Sequence, residues 1–409
     1  MLIAATGGVF TLGTGLWSMG AFVVPMEEEL GWNRTTLFAG LTIRALAAGA
    51  IAPFIGPVFD TRNGPRYLTI SSAIILGVSL IGLRWVDEVW QYFILFGGVG
   101  ALANVTSGIV LIEAVVPKWF IRQRGRAVAA ASMGGVLGPV FPLAIQWAIS
   151  AYGWRDAWVA MGVVSVVILL PLAFLVRTQP EDMGLSPDGD TGASPQPSAR
   201  RARNVSPEAD HTRGQAIRTS TFWILIATFS LTSLGVQGFI SNWLPYFQDI
   251  GFSANTGALA LTVFGIAVLP ARFFWGALAD SFSVRHLLMV QHILTGLLVV
   301  LLLYIGNYTL LMVFAVLMGF AYGGYVPLQR LIYPIYYGRS HLGAIRGAMR
   351  PAITTASAAG PLIIAGIYDL NGSYEIAFVF VMMMWFAAGM MFLLARPPRP
   401  LSLGDRPTA

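Results

Sequence analysis

Apolar residues run along this chain in blocks of about twenty, the length a membrane-spanning helix requires. The blocks fall at residues 2–25, 35–58, 66–86, 91–116, 127–151, 155–176, 220–245, 254–279, 285–305, 309–333, 345–367 and 374–395. Twelve helical spans are therefore predicted. The fourth and fifth meet at a compressed connection around Pro117 and the run Arg122-Gln-Arg124-Gly-Arg126. Residues 177–220 break the pattern: they are rich in Ser, Pro, Asp and Gly, cannot bury enough apolar surface to fold, and read as a linker in water.

The pattern is also made twice. Gly56-Pro-Val-Phe-Asp60, followed by Arg66, is echoed by Gly276-Ala-Leu-Ala-Asp280, followed by Arg285, with 220 residues between the aspartates. Pro117 and Pro334 lie 217 apart, and Gly138-Pro139 precedes Gly360-Pro361 by 222. Three landmarks at nearly one offset imply a duplicated six-span unit. The expected fold is an all-α membrane protein with twelve transmembrane helices in two six-helix pseudo-symmetric halves. These halves are residues 1–178 and 219–396, with a cytoplasmic linker at 179–218 and a tail at 397–409. Two such halves, related by an axis along the membrane normal, are the plan of a rocking transporter with its cargo site between them near midplane.

Composition sharpens this picture. Hydrophobic residues make up 56% of the chain and charged residues 11%, against roughly 25% charge in a soluble domain. The net charge of +6 comes from arginines in a few loops, so it reports topology and not a nucleic-acid surface. Loops after even-numbered spans carry Arg62 and Arg66, then Lys118, Arg122, Arg124 and Arg126, then Arg200, Arg201, Arg203 and Arg213, then Arg285, and last Arg339 and Arg346. Loops after odd-numbered spans carry Arg34, Arg84 and Arg155 against eight acids, among them Glu27, Glu28, Glu29 and Asp249. Both termini are thus expected in the cytoplasm, for a monomer in a bacterial inner membrane. The Arg200-Arg-Ala-Arg203 cluster either touches anionic lipid or is a solvated topology signal.

No catalytic chemistry is expected. The chain has no cysteine, which excludes disulfides and thiolate metal sites, and its four histidines lack metal-ligand spacing. No Ser/His/Asp grouping, metal pair or phosphate loop is present, so neither enzyme activity nor a cofactor is predicted. The first apolar run passes from Leu2 into a full span with no basic stretch before it, so no cleavable signal peptide is expected.

The informative residues are charges inside the spans. An embedded arginine costs roughly 2.5 kcal/mol or more, and normally faces a cavity. Arg272 lies in the eighth span about two turns before Asp280, and reads either as a binding group or as a tie to a helix carbonyl or an acid. Arg44 lies near the middle of the second span, about 18 Å along the helix from Gly56. It serves substrate or gate, or bonds to backbone. Arg350 either contacts cargo or snorkels to the interface. Glu113 and Arg330 occupy equivalent places, each four residues before the matching proline, and form either a proton or gate pair or a charge relay with loop arginines. Arginines outnumber acids inside the spans, which favours an anion in the cavity.

Gly56, Asp60, Arg62, Gly64 and Arg66 resemble the loop between helices two and three of the major facilitator superfamily, with Thr61 as one extra residue; Gly276, Asp280 and Arg285 repeat it. The resemblance implies a latch in which the aspartates meet arginines at the cytoplasmic rim. Within that superfamily the chain is most similar to the monocarboxylate porter and oxalate/formate antiporter branch. The similarity rests on Met26-Glu-Glu-Glu-Leu-Gly-Trp-Asn-Arg34, on residues 179–189 and on Ala271-Arg272-x-x-x-Gly276. It implies that Arg272 binds the substrate carboxylate, that Arg350 is a second cation in helix eleven, and that Gln237, Asn242, Tyr322, Tyr325 and Gln329 line the cavity. Val268 stands where animal monocarboxylate carriers place an aspartate, and Trp17 stands nearest their helix-one lysine. The resulting expectation is a secondary transporter that moves a small mono- or dicarboxylate by alternating access, coupled to a proton or a counter-anion. The alternative is a proton-coupled exporter of drugs or amphiphilic solutes, which calls for a deep acid such as Glu113.

Overall fold

A computed structural model describes residues 13–55, 61–106, 138–184, 211–338 and 341–398, with a few isolated positions outside these stretches. Every described element is helical. We label them α1 (Ser18–Leu30, entered through a π-helical turn Gly13–Trp17), α2 (Arg34–Ile55), α3 (Gly64–Gly82), α4 (Val89–Val105), α5 (Phe141–Tyr152) and α6 (Trp154–Phe174). The second series is α7 (Ser220–Ser241, continued by Trp243–Asp249), α8 (Ala254–Ser281), α9 (Val284–Leu302), α10 (Tyr308–Gly323, continued by Tyr325–Tyr337), α11 (Leu342–Asn371) and α12 (Glu375–Leu394). Among the described residues nine helices are long and apolar enough to cross a membrane, and Val89–Val105 is a shorter apolar one. Each of the twelve apolar blocks contains helix. Asp60, Glu113 and residues 185–210 lie outside the described residues.

Two compact units are present: Met1–Gly192 with Gly238–Gly265 and Pro361–Tyr374, and Ala193–Gln237 with Ile266–Gly360 and Glu375–Ala409. The first unit is built on α3 packed along α6, and the second on α9 packed along α12, the equivalent pair six helices later. Both pairs rest on small residues, because helices in lipid associate through close backbone approach. A Cβ at Gly162 of α6 would lie 2.8 Å from Ile81 Cγ1 and 3.2 Å from the Gly77 carbonyl oxygen. On α12, a Cβ at Gly389 would lie 3.2 Å from His292 Cβ. The polar links repeat as well. Ser72 of α3 donates to the Ala103 carbonyl of α4 at 2.9 Å, and Gln291 of α9 donates to the Ala321 carbonyl of α10 at 3.2 Å. The duplication read from loop motifs is thus also carried by the packing inside each unit.

One boundary differs from expectation. Gly276 to Asp280 is not a turn but the last part of α8, because Ala-Leu-Ala following the glycine are strong helix formers. Nor does Gly276 answer a steric need, since a Cβ there would meet nothing within 4 Å, whereas one at Gly64 would collide with the Val58 carbonyl oxygen at 1.7 Å.

Gly162→Ala should therefore destabilise the protein by about 1–3 kcal/mol, because its Cβ meets rigid backbone. Gly296→Ala in α9, where the nearest atom would be 3.5 Å away, should be neutral or slightly stabilising. Thermal unfolding of the purified variants checks this; equal melting temperatures for the two would contradict the packing account.

Candidate functional site

Arg44 lies midway along α2 and is 2% exposed. Its Nε, Nη1 and Nη2 atoms are all buried and make no hydrogen bond. Three neighbours shape the space around it. A Cβ at Gly15 would lie 3.5 Å from Arg44 Nη1, one at Gly100 would lie 3.3 Å from Nε, and the Phe96 ring centroid is 5.2 Å from Cζ. Gly15 belongs to the π-helical turn Gly13–Trp17, and Phe96 belongs to a second π-helical segment, Phe93–Val99, inside α4. Such segments widen a helix locally and often occur at functional sites. Tyr92, on the same face of α4, makes no hydrogen bond with the guanidinium; its hydroxyl donates to the Leu37 carbonyl at 2.7 Å. A planar cation with five donors thus sits in a small, apolar, glycine-lined space.

Arg272, in the second unit, lies two residues after Pro270, whose missing N–H leaves an α8 carbonyl without its helical donor. Its Nε is buried and unbonded. Tyr322 and Arg330 lie within electrostatic range of it. Tyr322 in turn neighbours Tyr325 (ring centroids 6.1 Å apart), and Gln329 donates to the Tyr325 hydroxyl at 3.3 Å. The second unit therefore gathers Arg272, Tyr322, Tyr325 and Arg330. Arg350 is exposed on α11, and Gln237 is half-buried on α7.

Asn242 belongs to a different constellation, one that sequence reasoning missed. Arg34, at the start of α2 and 3% exposed, donates from Nε to Glu27 at 2.9 Å. It also grips Asp249 with both terminal nitrogens, at 2.6 and 2.9 Å. Its guanidinium carbon stands 4.0 Å from the Tyr368 ring centroid, and Nη1 donates to the Tyr374 hydroxyl at 3.1 Å. The Tyr374 hydroxyl donates to Asn242 Oδ1 at 3.1 Å, and Asn242 Nδ2 donates to the Gly238 carbonyl. Thr35 binds Asp369 through both its backbone N–H and its hydroxyl. Residues 215 and more apart in sequence thus form one cluster within the first unit. Arg34, Asp249 and Asp369 had been read only as topology charges. The available signal was economy: in a chain with 11% charge, an arginine seven residues after a carboxylate at a helix junction has work to do.

A second network joins the loops nearby. Arg155 donates to Glu29 at 2.9 Å, to Asp87 at 2.8 Å, and to the carbonyls of Arg84 and Val86. Trp154 Nε1 also donates to Glu29, at 2.6 Å. The hydrogen bonds from Arg155 and Trp154 hold the Glu29 carboxyl below its ordinary range.

The sequence model of the Major Facilitator Superfamily matches residues 5–253 and 239–408. The chain belongs to that superfamily. Its members are membrane transporters, and the chain is an integral membrane protein of the major facilitator fold, with twelve helices in two six-helix halves. Curated relatives include the oxalate:formate antiporter of Oxalobacter formigenes, 25% identical over 65% of this chain and 59% of that protein. Another is monocarboxylate transporter 13 of Rattus norvegicus, 24% identical over 88% of this chain and 78% of that one. The matched part thus spans under two thirds of the antiporter's length. A solved D-xylose–proton symporter shares the fold, with a TM-score of 0.66 over 96% of both chains at 15% identity. The antiporter and the monocarboxylate transporter fall in the branch that the sequence motifs resemble.

The superfamily's loop motif is partly visible. Arg66 lies 5.6 Å from the Phe174 ring centroid, and Arg62 is exposed. Arg285 donates to the carbonyls of Phe392 and Leu393 at 2.7 and 2.6 Å, which caps α12. Asp60 is outside the described residues, and Asp280 is placed only by its backbone.

Two predictions follow from the clusters. A double-mutant cycle of Arg34→Gln with Asp249→Asn should show coupling of about 0.5–3 kcal/mol in thermal unfolding; additive losses would contradict the bidentate pairing. Because the folded pKa of Glu29 lies below its ordinary 4.5, its contribution is full above the unfolded value. It is lost as pH falls through the lower folded one. Wild type should therefore lose melting temperature on acidification below about pH 4.5 more steeply than Glu29→Gln; parallel curves would contradict this.

Proposed function

We propose that the protein is a secondary carrier of small organic anions, mono- or dicarboxylates, working by alternating access. The observation that carries this reading is Arg44, a cation 2% exposed with three unbonded nitrogens. Leaving a buried charge without its partner destabilises by about 3–5 kcal/mol. An anion in the glycine-lined space would offset that penalty, and a carboxylate matches the guanidinium fork with two parallel bonds. Arg272, with its buried unbonded Nε, is the second anion-binding group, and Tyr322 and Tyr325 complete the hydrogen bonds around it. The names of the oxalate:formate antiporter and the monocarboxylate transporter support the cargo class. Coupling is to a proton or to exchange with a second anion.

Gating falls to the charged ends. Asp60, Asp280, Arg62, Arg66 and Arg285, with Glu113 and Arg330 as relay, form a latch at the end that arginine-rich loops place in the cytoplasm. The Arg34 cluster is the counterpart at the opposite ends of α1, α2, α7 and α11. Its bidentate pair must break before those helix ends separate.

Counterflow of radiolabelled mono- and dicarboxylates in proteoliposomes tests the reading. A charge-assisted bond contributes about 1.5–3 kcal/mol, so losing the fork weakens binding roughly ten- to over a hundredfold. Arg272→Lys and Arg44→Lys should each bind and transport the best anion that much more weakly, and Arg272→Ala should abolish uptake. Asp280→Asn should change rate more than affinity. Near-normal counterflow by Arg272→Ala, at equal protein quantity and monodispersity, would overturn the assignment.

A further inference from the structure

The second unit holds an open cavity of about 580 Å³ away from Arg272, lined by His211, Arg218, Thr219, Ser220, Arg396 and Pro397 among others. It is built where the chain enters α7 and leaves α12. Thr221 donates to the Arg396 carbonyl at 2.7 Å, and the His211 backbone N–H donates to the Tyr337 carbonyl at 3.0 Å. The walls are thereby fixed by backbone, while the side chains of Arg218 and Arg396 remain exposed. Neither arginine makes an ion pair with a described residue, and among the described residues no acid lines the cavity.

Two further features say what would enter. Beside the cavity the surface turns apolar, with Leu394 66% and Trp223 58% exposed. Trp223 is held there by its indole N–H, which donates to the Ile217 carbonyl at 3.0 Å. A tryptophan with one polar tie and one exposed apolar face is the residue that marks the boundary between lipid and water. The cavity therefore offers two exposed arginines in its lining beside exposed apolar side chains. Guanidinium groups match phosphate oxygens with parallel donors.

We infer that this cavity binds a phosphate-bearing anion, and that the apolar side chains beside it suit the acyl chains of an anionic phospholipid. The site is separate from the carboxylate-binding reading and does not rest on it. Its role is to anchor the entry of α7 against the exit of α12 at the membrane surface.

The test uses the full chain, purified in detergent. It is offered equimolar phosphatidylglycerol and phosphatidylcholine, with retained lipid read by native mass spectrometry; melting temperature is followed separately with inorganic phosphate. Each arginine near an anionic surface contributes about fivefold in affinity, so Arg218→Gln with Arg396→Gln should lower the preference for phosphatidylglycerol about thirtyfold. The matching pair of lysine substitutions should keep most of it. If the glutamine pair does not purify as a monodisperse protein, Arg218→Gln alone should show the fivefold step. Preference for phosphatidylglycerol without stabilisation by inorganic phosphate assigns the lipid headgroup. Stabilisation by inorganic phosphate with equal retention of both lipids assigns free phosphate at the same site. No preference and no stabilisation in wild type, or a preference that survives the glutamine substitutions, would overturn the proposal.

Discussion

A charge taken out of water must find a counterpart, and several described arginines of this protein show how that is done. Arg34 meets a bidentate carboxylate and an aromatic face. Arg155 divides its donors between two carboxylates and two backbone carbonyls. Arg285 uses the carbonyls that end α12, where the helix dipole welcomes a cation. Arg346 lies near the Tyr333 ring. Against that background Arg44 stands apart: the same chemical group, buried midway along a helix, with all three nitrogens unbonded. The fold holds a buried cation there, and the proposed anion carrier rests on it.

The local backbone explains how such a site survives. Two π-helical segments flank Arg44, and glycines at 15 and 100 leave the room that side chains would take. Elsewhere glycine does the opposite work and brings helices together, as at Gly162 and Gly389. The pairs α3–α6 and α9–α12 are thus frames, each within its unit, while the two π-helical segments among the described residues both lie beside Arg44. Polar clusters at the helix ends set which ends are joined: Arg34 with Asp249 and the Tyr368–Tyr374 stack is the densest of them.

Much of this was legible from residue order. Twenty-residue apolar blocks gave the spans, and the constant offset between Asp60 and Asp280, or Pro117 and Pro334, gave the duplication. Arg44 and Arg272 were conspicuous because a cation within an apolar run has few innocent explanations. What could not be read was pairing. Arg34 and Asp249 are 215 residues apart, and nothing local marks them as partners; charge asymmetry sorts loops by side but is blind to contacts across them. The resemblance to a loop motif set Gly276 to Asp280 apart, although the apolar block 254–279 and the helix propensity of Ala-Leu-Ala both point to helix there.

The central claim is that the buried guanidinium of Arg44 awaits an anion. A ligand that binds only the native state raises its stability by an amount set by concentration over Kd. The most direct measurement compares the melting temperature of purified protein with small carboxylates and with their neutral amides, in wild type and in Arg44→Gln. The account predicts a rise with at least one carboxylate, none with its amide, and a marked reduction of that rise in the variant. An equal rise with carboxylate and amide, or a full carboxylate response in Arg44→Gln, would contradict it.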